Sequence, residues 1–193
     1  MKKHLALFIA CLVFAGNLFA QQHLSFKGVP INGTLQEYTN AMVKAGFHYE
    51  RTQNGLSILT GDFAGYKGCT IVVSTLKNLD VVSRIAVLFP DRDTWTSVLN
   101  DYQSLKSMLT EKYGYPSESK EKFDGYIGDN DNYFIMEALK EGKYEWYTTF
   151  STELGDIELS VMEGIEYHTG KVRLSYYDKA NSEKVRSAAM DDL

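Results

Sequence analysis

Residues 124–132 read "DGYIGDNDN", the densest run of oxygen donors in the chain. Asp124, Asp129 and Asp131 are hard carboxylate ligands of the kind calcium takes, and calcium is the one cofactor this sequence suggests. The spacing does not match an EF-hand, because the fifth position counted from Asp129 is Tyr133 and no glycine follows. Asp and Asn are also the residues that loops and helix N-caps use, so the run reads equally well as a solvated turn. Beyond the first twenty residues stand three histidines, His23, His48 and His168, none at zinc-ligand spacing to another His or Cys. H-E-x-x-H, G-x-S-x-G, phosphate-loop and dinucleotide-glycine patterns are absent from the sequence. Paired carboxylates of the glycosidase type leave no linear signature, so catalysis stays an open question here. Asn32-Gly33-Thr34 matches a glycosylation sequon but serves better as a turn followed by an N-cap.

The remaining candidates are binding residues, and they emerge only when strands are assigned. In "GDIELSVME" and "KVRLSYYD", apolar and polar residues alternate. Period-two alternation sends Ile157, Leu159, Val161, Val172, Leu174 and Tyr176 to a core, and Glu158, Ser160, Met162, Arg173, Ser175 and Tyr177 to the opposite face. In the strand expected over 144–152, Tyr144, Trp146 and Phe150 share the core side, while Tyr147 and Thr149 share the other. The open face therefore mixes Tyr, Ser, Thr, Glu and Arg, a composition suited to recognition. Tyr147, Glu158, Arg173 and Tyr177 are its candidate binding residues. The same mixture also fits a solvated sheet with ordinary cross-strand pairs such as Glu158 with Arg173.

Two stretches position these strands. Thr34 and Glu37 form a T-x-x-E capping box, Leu35, Tyr38 and Met42 lie on one helical face, and Gly46 stops that helix. A strand over 47–52, the Asn54-Gly55 turn, and strands near 56–63, 68–75 and 82–89 follow. Asp93 is a candidate N-cap for a second helix, whose stripe is Trp95, Val98, Leu99, Tyr102, Leu105 and Leu109, ended by Gly114. Strands near 144–152, 156–163 and 171–177 follow. Phe63, Gly68, Ile85 and Phe89 recur as Phe150, Gly155, Val172 and Tyr176 at a constant offset of 87, and Gly46-Phe47 recurs as Gly114-Tyr115 at 68. In the middle strand, Ile71 and Val73 pair with Ile157 and Leu159 at 86 instead. The expected fold is α+β: two tandem units over 21–90 and 91–178, each a helix on an antiparallel sheet of about four strands. The second unit carries an insertion near 124–142 with a short extra helix, and 179–193 forms a tail or short helix.

The opening "MKKHLALFIACLVFAGNLFAQQ" sets the compartment. Lys2 and Lys3, the apolar run Leu5 to Phe14, and Ala20 before Gln21 have the form of a secretory signal peptide over 1–20. The apolar run is short for a membrane span. A lipobox reading at Cys11 meets Phe8 at its −3 position, so lipoprotein anchoring is the lesser alternative to a periplasmic or secreted chain. Loss of Lys2 and Lys3 takes the formal charge from −5 to −7, which argues against nucleic acid and anionic membrane surfaces. Cys69 then stands alone, so no intrachain disulfide forms, and a small buried hydrophobe in a strand is its expected role. A reactive thiol there would have only Lys67 nearby to support it.

A secreted chain of two tandem helix-plus-antiparallel-sheet units resembles the layout of β-lactamase inhibitory proteins. Its early segment "FKGVPINGTLQEYTNAMVKAGF" is similar to the start of many uncharacterised secreted proteins of gram-negative bacteria. The resemblance implies a concave sheet surface used to bind proteins. Those inhibitors carry disulfides and this chain does not, so no binding residue is carried over. The expected function is a non-enzymatic module that recognises a protein partner through its open sheet face. The alternative is a glycan-binding or glycan-processing protein, with Trp146 and the tyrosines as a stacking platform.

Overall fold

A computed structural model describes residues 22–76, 79–124 and 132–190. Residues 1–21, which hold the expected signal peptide and Cys11, lie outside the described residues, as do Asp129 and Asp131. The chain is α+β. A two-stranded hairpin, β1 (Ser25–Phe26) and β2 (Val29–Pro30), precedes α1 (Leu35–Lys44). β3 (His48–Gln53), β4 (Leu56–Phe63), β5 (Tyr66–Leu76) and β6 (Leu79–Leu88) follow, then α2 (Trp95–Tyr113) and β7 (Glu118–Phe123). α3 (Asn132–Lys140), β8 (Tyr144–Thr152), β9 (Gly155–Glu163), β10 (Gly170–Asp178) and α4 (Lys179–Met190) complete it.

Helix starts follow local chemistry. Thr34 caps α1, its side chain accepting from Glu37 N–H while the Glu37 carboxylate accepts from Thr34 N–H. Two orphan donors are satisfied at once, and the negative charge sits at the positive end of the helix. Gly46 takes φ +100° just past the last turn, a conformation a side chain would resist. For α2 the cap is Thr94 rather than Asp93, its hydroxyl accepting from Ser97 N–H. Gly114 ends that helix.

The strands expected in two sheets of about four lie in one antiparallel sheet of eight, ordered β3-β4-β5-β6-β10-β9-β8-β7. The join is β6 against β10, with Val87 opposite Leu174 and Ile85 opposite Tyr176. Both strands are β-branched and aromatic on the core side, and pairing them buries one continuous apolar surface in place of two. α1 packs on β3–β6, and α2 on β8–β10. The core runs unbroken from Leu59, Ile71 and Val87 through Leu174, Leu159 and Phe150. Phe26 of the first hairpin plugs its middle, with ring centroids 5.1 Å from Phe63 and 5.3 Å from Tyr176. Burying aromatics and Leu/Ile/Val side chains at about 25 cal/mol per Å² holds the sheet without any disulfide. Cys69 is a free thiol in that core, and burial pushes its pKa up, which suits packing rather than reactivity.

Candidate functional site

The helices α1, α2 and α3 cover one face of the sheet, and the candidate residues sit on the other. Ser160 of β9 lies between two of them, opposite Arg173 on one side and Tyr147 on the other. Arg173 donates from Nε to Ser160 Oγ at 3.1 Å and from Nη2 to Glu158 Oε1 at 3.0 Å. Tyr147 O–H donates to Glu118 Oε1 of the edge strand at 2.6 Å. That bond raises the phenol pKa, since the carboxylate it faces disfavours ionisation. Beyond it, Lys120 and Lys122 both reach Glu145, at 3.0 and 2.8 Å. Those two bonds hold the Glu145 carboxyl below its usual range.

Register explains why a hollow forms here. β7 pairs with β8 from Tyr144 onward, but β9 pairs with β8 only from Tyr147. Tyr144, Glu145 and Trp146 therefore have no β9 partner. The gap is part of a hollow of about 390 Å³ lined by Tyr147, Glu158, Ser160, Val161 and Arg173 together with those three residues and Gly142. Tyr147, Glu158 and Arg173 are thus brought together. Tyr177 is not among them. It sits opposite Arg84 of β6, whose guanidinium carbon lies 4.9 Å over its ring and whose Nη2 donates to buried Ser175 Oγ. Tyr177 also borders a second hollow of about 490 Å³ with Asp156, Lys179 and Arg186.

Trp146 is half-buried on the helix side, edge-on to Trp95 at 4.7 Å and tilted against Phe123 at 5.2 Å. It is a packing residue and does not stand in a solvent-facing aromatic row. Asp124 follows β7, its N–H donated to Lys143 O, and among the described residues no group of three or more His, Cys, Asp or Glu is placed to hold a metal ion. His23 is tied to buried Asp178 at 3.0 Å, and His48 is exposed on edge strand β3.

Sequence reasoning missed Arg84, Ser160 as the centre of the network, and the edge-strand partners Glu118 and Lys120. Arg84 is legible as the polar member of "VVSRIAVLF", but its partner Tyr177 lies across a strand pairing that no local pattern reveals. Comparison with protein-family models, with curated proteins and with solved structures gives no match. What the chain does must therefore be argued from its geometry.

Proposed function

We propose that the chain is a secreted or periplasmic binding module without catalytic activity, recognising a protein partner through the open sheet face. The observation that carries this reading is the convergence of Tyr147, Glu158 and Arg173 around Ser160, in a shallow hollow opened by the unpaired start of β8. Tyr and Arg held by neighbours lose little entropy on binding, which is why such residues dominate hot spots. The aromatics of this face, Tyr147 and Tyr177, belong to separate networks, and Trp146 packs inward. That arrangement supports a mixed protein-binding surface over a glycan platform.

We also infer that the two halves are copies of one unit. Each is a helix followed by four antiparallel strands, and the halves meet at β6 and β10. Taking Val87 as equivalent to Leu174, the pairing makes Ile71 equivalent to Leu159 and Leu59 equivalent to Thr148. The spacing grows by one residue per strand away from the join, so a constant offset holds only at the join itself.

The test is capture of partners from periplasm and culture medium by the mature chain, followed by titration of an identified partner. Tyr147→Ala and Arg173→Ala should each weaken binding by about 2 kcal/mol or more, roughly 30-fold, with the fold intact by circular dichroism. Normal binding by both variants would refute the open-face reading.

A further inference from the structure

The large apolar residues left exposed on this molecule are not scattered evenly. Val43, Tyr49, Leu56, Met108, Tyr115 and Met190 are distributed along the chain, but Tyr133, Phe134 and Tyr167 are linked by ring contacts through His168, and Ile165 stands two residues from Tyr167 in the same turn. Ile165 is 84% exposed, Tyr167 76%, and Tyr133 and Phe134 57% each. Single exposed hydrophobes are ordinary, while a contiguous cluster marks a contact surface. Tyr133 and Phe134 open α3, and Ile165 and Tyr167 stand in the turn between β9 and β10. His168 joins the two groups. Its ring stacks on Tyr133 at 4.8 Å and meets Tyr167 edge-on at 4.0 Å. Lys140 lies 5.4 Å from the Tyr167 ring.

The turn that carries these residues is clamped. Asp91 Oδ2 accepts from Ile165 N–H at 2.6 Å, Glu166 N–H at 3.1 Å and the Thr169 hydroxyl at 3.1 Å. Asp91 Oδ1 receives Lys171 Nζ, whose side chain is only 4% exposed. Gly164 N–H donates to Thr169 O, closing the turn. A side chain at Gly164 would place its Cβ 2.0 Å from Thr169 Oγ1 and 2.8 Å from Asp91 Oδ2, so the clamp needs glycine there. An ion pair with a nearly buried lysine is an expensive way to order a surface turn whose side chains point into water. The expense is intelligible if the turn presents Ile165 and Tyr167 in fixed positions, since ordering before contact lowers the entropy cost of binding.

We propose that Ile165, Tyr167 and Phe134 form a preordered knob that enters an apolar pocket of a partner protein rimmed by basic residues. The rim of the knob sets the partner's charge. Lys140 is paired with Glu137 at 3.2 Å, and the Glu137 carboxylate also lies 3.7 Å from His168 Nε2. The carboxylates of Glu163 and Glu166 have no ion pair among the described residues, so cations on the partner complement them. The same acidity opposes an anionic bilayer, and it opposes a second copy of this knob. The open-face reading supplies only one premise, that the partner is a protein, and it places the anchor elsewhere.

The experiment is site-specific photo-crosslinking in cells that produce the chain. p-Benzoylphenylalanine replaces Tyr167, and in a control it replaces the isolated Tyr115. A protein adduct specific to position 167 is identified by mass spectrometry, purified and titrated with the mature chain. The expected result is a rise in Kd of about 30-fold or more for Ile165→Ser and for Tyr167→Ser, partly mirrored by raising salt. Arg173→Ala should stay within about 5-fold if the knob alone anchors this partner. Loss on Arg173→Ala with normal binding by Ile165→Ser would sink the knob and keep the open face, and the converse would do the reverse. The knob also falls if position 167 gives no adduct, or gives the same adducts as position 115. It falls if the chain crosslinks only to itself, or if Ile165→Ser abolishes sedimentation with phosphatidylcholine vesicles while no protein is captured.

Discussion

Two surfaces of this molecule handle polar and apolar groups in opposite ways. On the open face of β7–β10 the polar side chains are largely paired within the sheet: Arg173 with Glu158, Lys120 and Lys122 with Glu145, and Tyr147 with Glu118. At the β9–β10 turn, polar groups are used to hold the backbone, and apolar side chains are left facing water. The first arrangement is what a stable solvated sheet needs, with or without a ligand. The second is costly in isolation, and it is the arrangement that the proposed knob requires. The contrast teaches that the richest cluster of Tyr, Arg and Glu is not automatically the place where free energy is held in reserve for binding.

The comparison breaks most sharply at Asp91. Removing it leaves Lys171 nearly buried without a counter-ion and frees the Ile165 and Glu166 N–H groups, while the Thr169 hydroxyl keeps Glu166 O as its acceptor at 2.7 Å. Asp91→Ala should cost about 3–5 kcal/mol, as for other broken buried pairs. For a chain of this size that lowers the thermal midpoint by roughly 10 °C. Adding Lys171→Met to Asp91→Ala should recover much of the loss, because a buried apolar side chain carries no desolvation penalty. The pH profile follows from the pair. Burial works to raise the Asp91 carboxyl, but the hydrogen bond from Lys171, the Glu166 and Ile165 N–H groups and the lysine charge outweigh it, and its pKa ends below the usual range. A depressed folded pKa gives stability that is fully present above the unfolded value near 4 and is lost as pH falls through the folded one. The midpoint difference between the wild-type chain and Asp91→Asn should therefore stay flat from neutral pH down to about 5 and shrink only in stronger acid. A difference that shrinks near pH 6 would show that another group carries the clamp.

Next in size is Trp146→Ala. Trp146 closes the cluster with Trp95 and Phe123 beneath the open face, and losing it should cost about 3 kcal/mol, the lower end for an aromatic since it is half-buried. Tyr147→Ala, one residue along, should move stability by less than about 0.5 kcal/mol. Thermal midpoints of the two variants decide the matter, and a reversed order would mean that the faces of β8 are assigned backwards.

What was legible in the sequence was whatever local chemistry dictates. The capping box at Thr34, the α2 stripe from Val98 to Leu109, and the inward set of β9 and β10 all report short-range physics and stand where expected, whereas Ser160 and Ser175, expected on the open face, are buried beneath their larger neighbours Arg173 and Arg84, to which they are hydrogen-bonded. Alternation alone also assigned Ile157, Leu159 and Tyr176 inward, and all three are buried. The join of β6 to β10 was not legible, because an antiparallel pairing across so many intervening residues has no local signal. For the same reason Arg84 could not be matched to Tyr177. The edge strand β7, "ESKEKF", was hidden by its charge, which is how edge strands avoid unwanted pairing. The knob was overlooked for a different reason. His168 has no zinc-ligand spacing and reads as a surface or strand residue, and Ile165 and Tyr167 fall between two strands where no periodicity singles them out. A turn in "EGIEYHTGK" with apolar residues on either side of Glu166 is the signal that could have found it.

The smallest effect tests the open face on its own terms. Arg173 and Glu158 make an ion pair at 3.0 Å, but their side chains are still 30% and 27% exposed. Water reaches both, so the Coulomb attraction is largely offset by what each group loses in hydration and freedom. A double-mutant cycle with Arg173→Ala and Glu158→Ala, read by chemical denaturation, should give a coupling of about 0.2–1 kcal/mol. The coupling should fall as salt is raised toward 1 M, where the Debye length shortens from about 10 Å at 0.1 M to about 3 Å, the separation of the pair. Ser160 makes the cycle informative. Arg173 Nε also donates to its hydroxyl, so Glu158→Ala leaves the guanidinium tethered, whereas Arg173→Ala leaves Glu158 with no other side-chain partner among the described residues. Arg173→Ala should therefore be the costlier single change, though both stay under about 1 kcal/mol. A coupling above about 2 kcal/mol would mean that the pair is stiffer and drier than its exposure implies. The open face would then hold energy in reserve after all, and its contrast with the clamped turn would weaken.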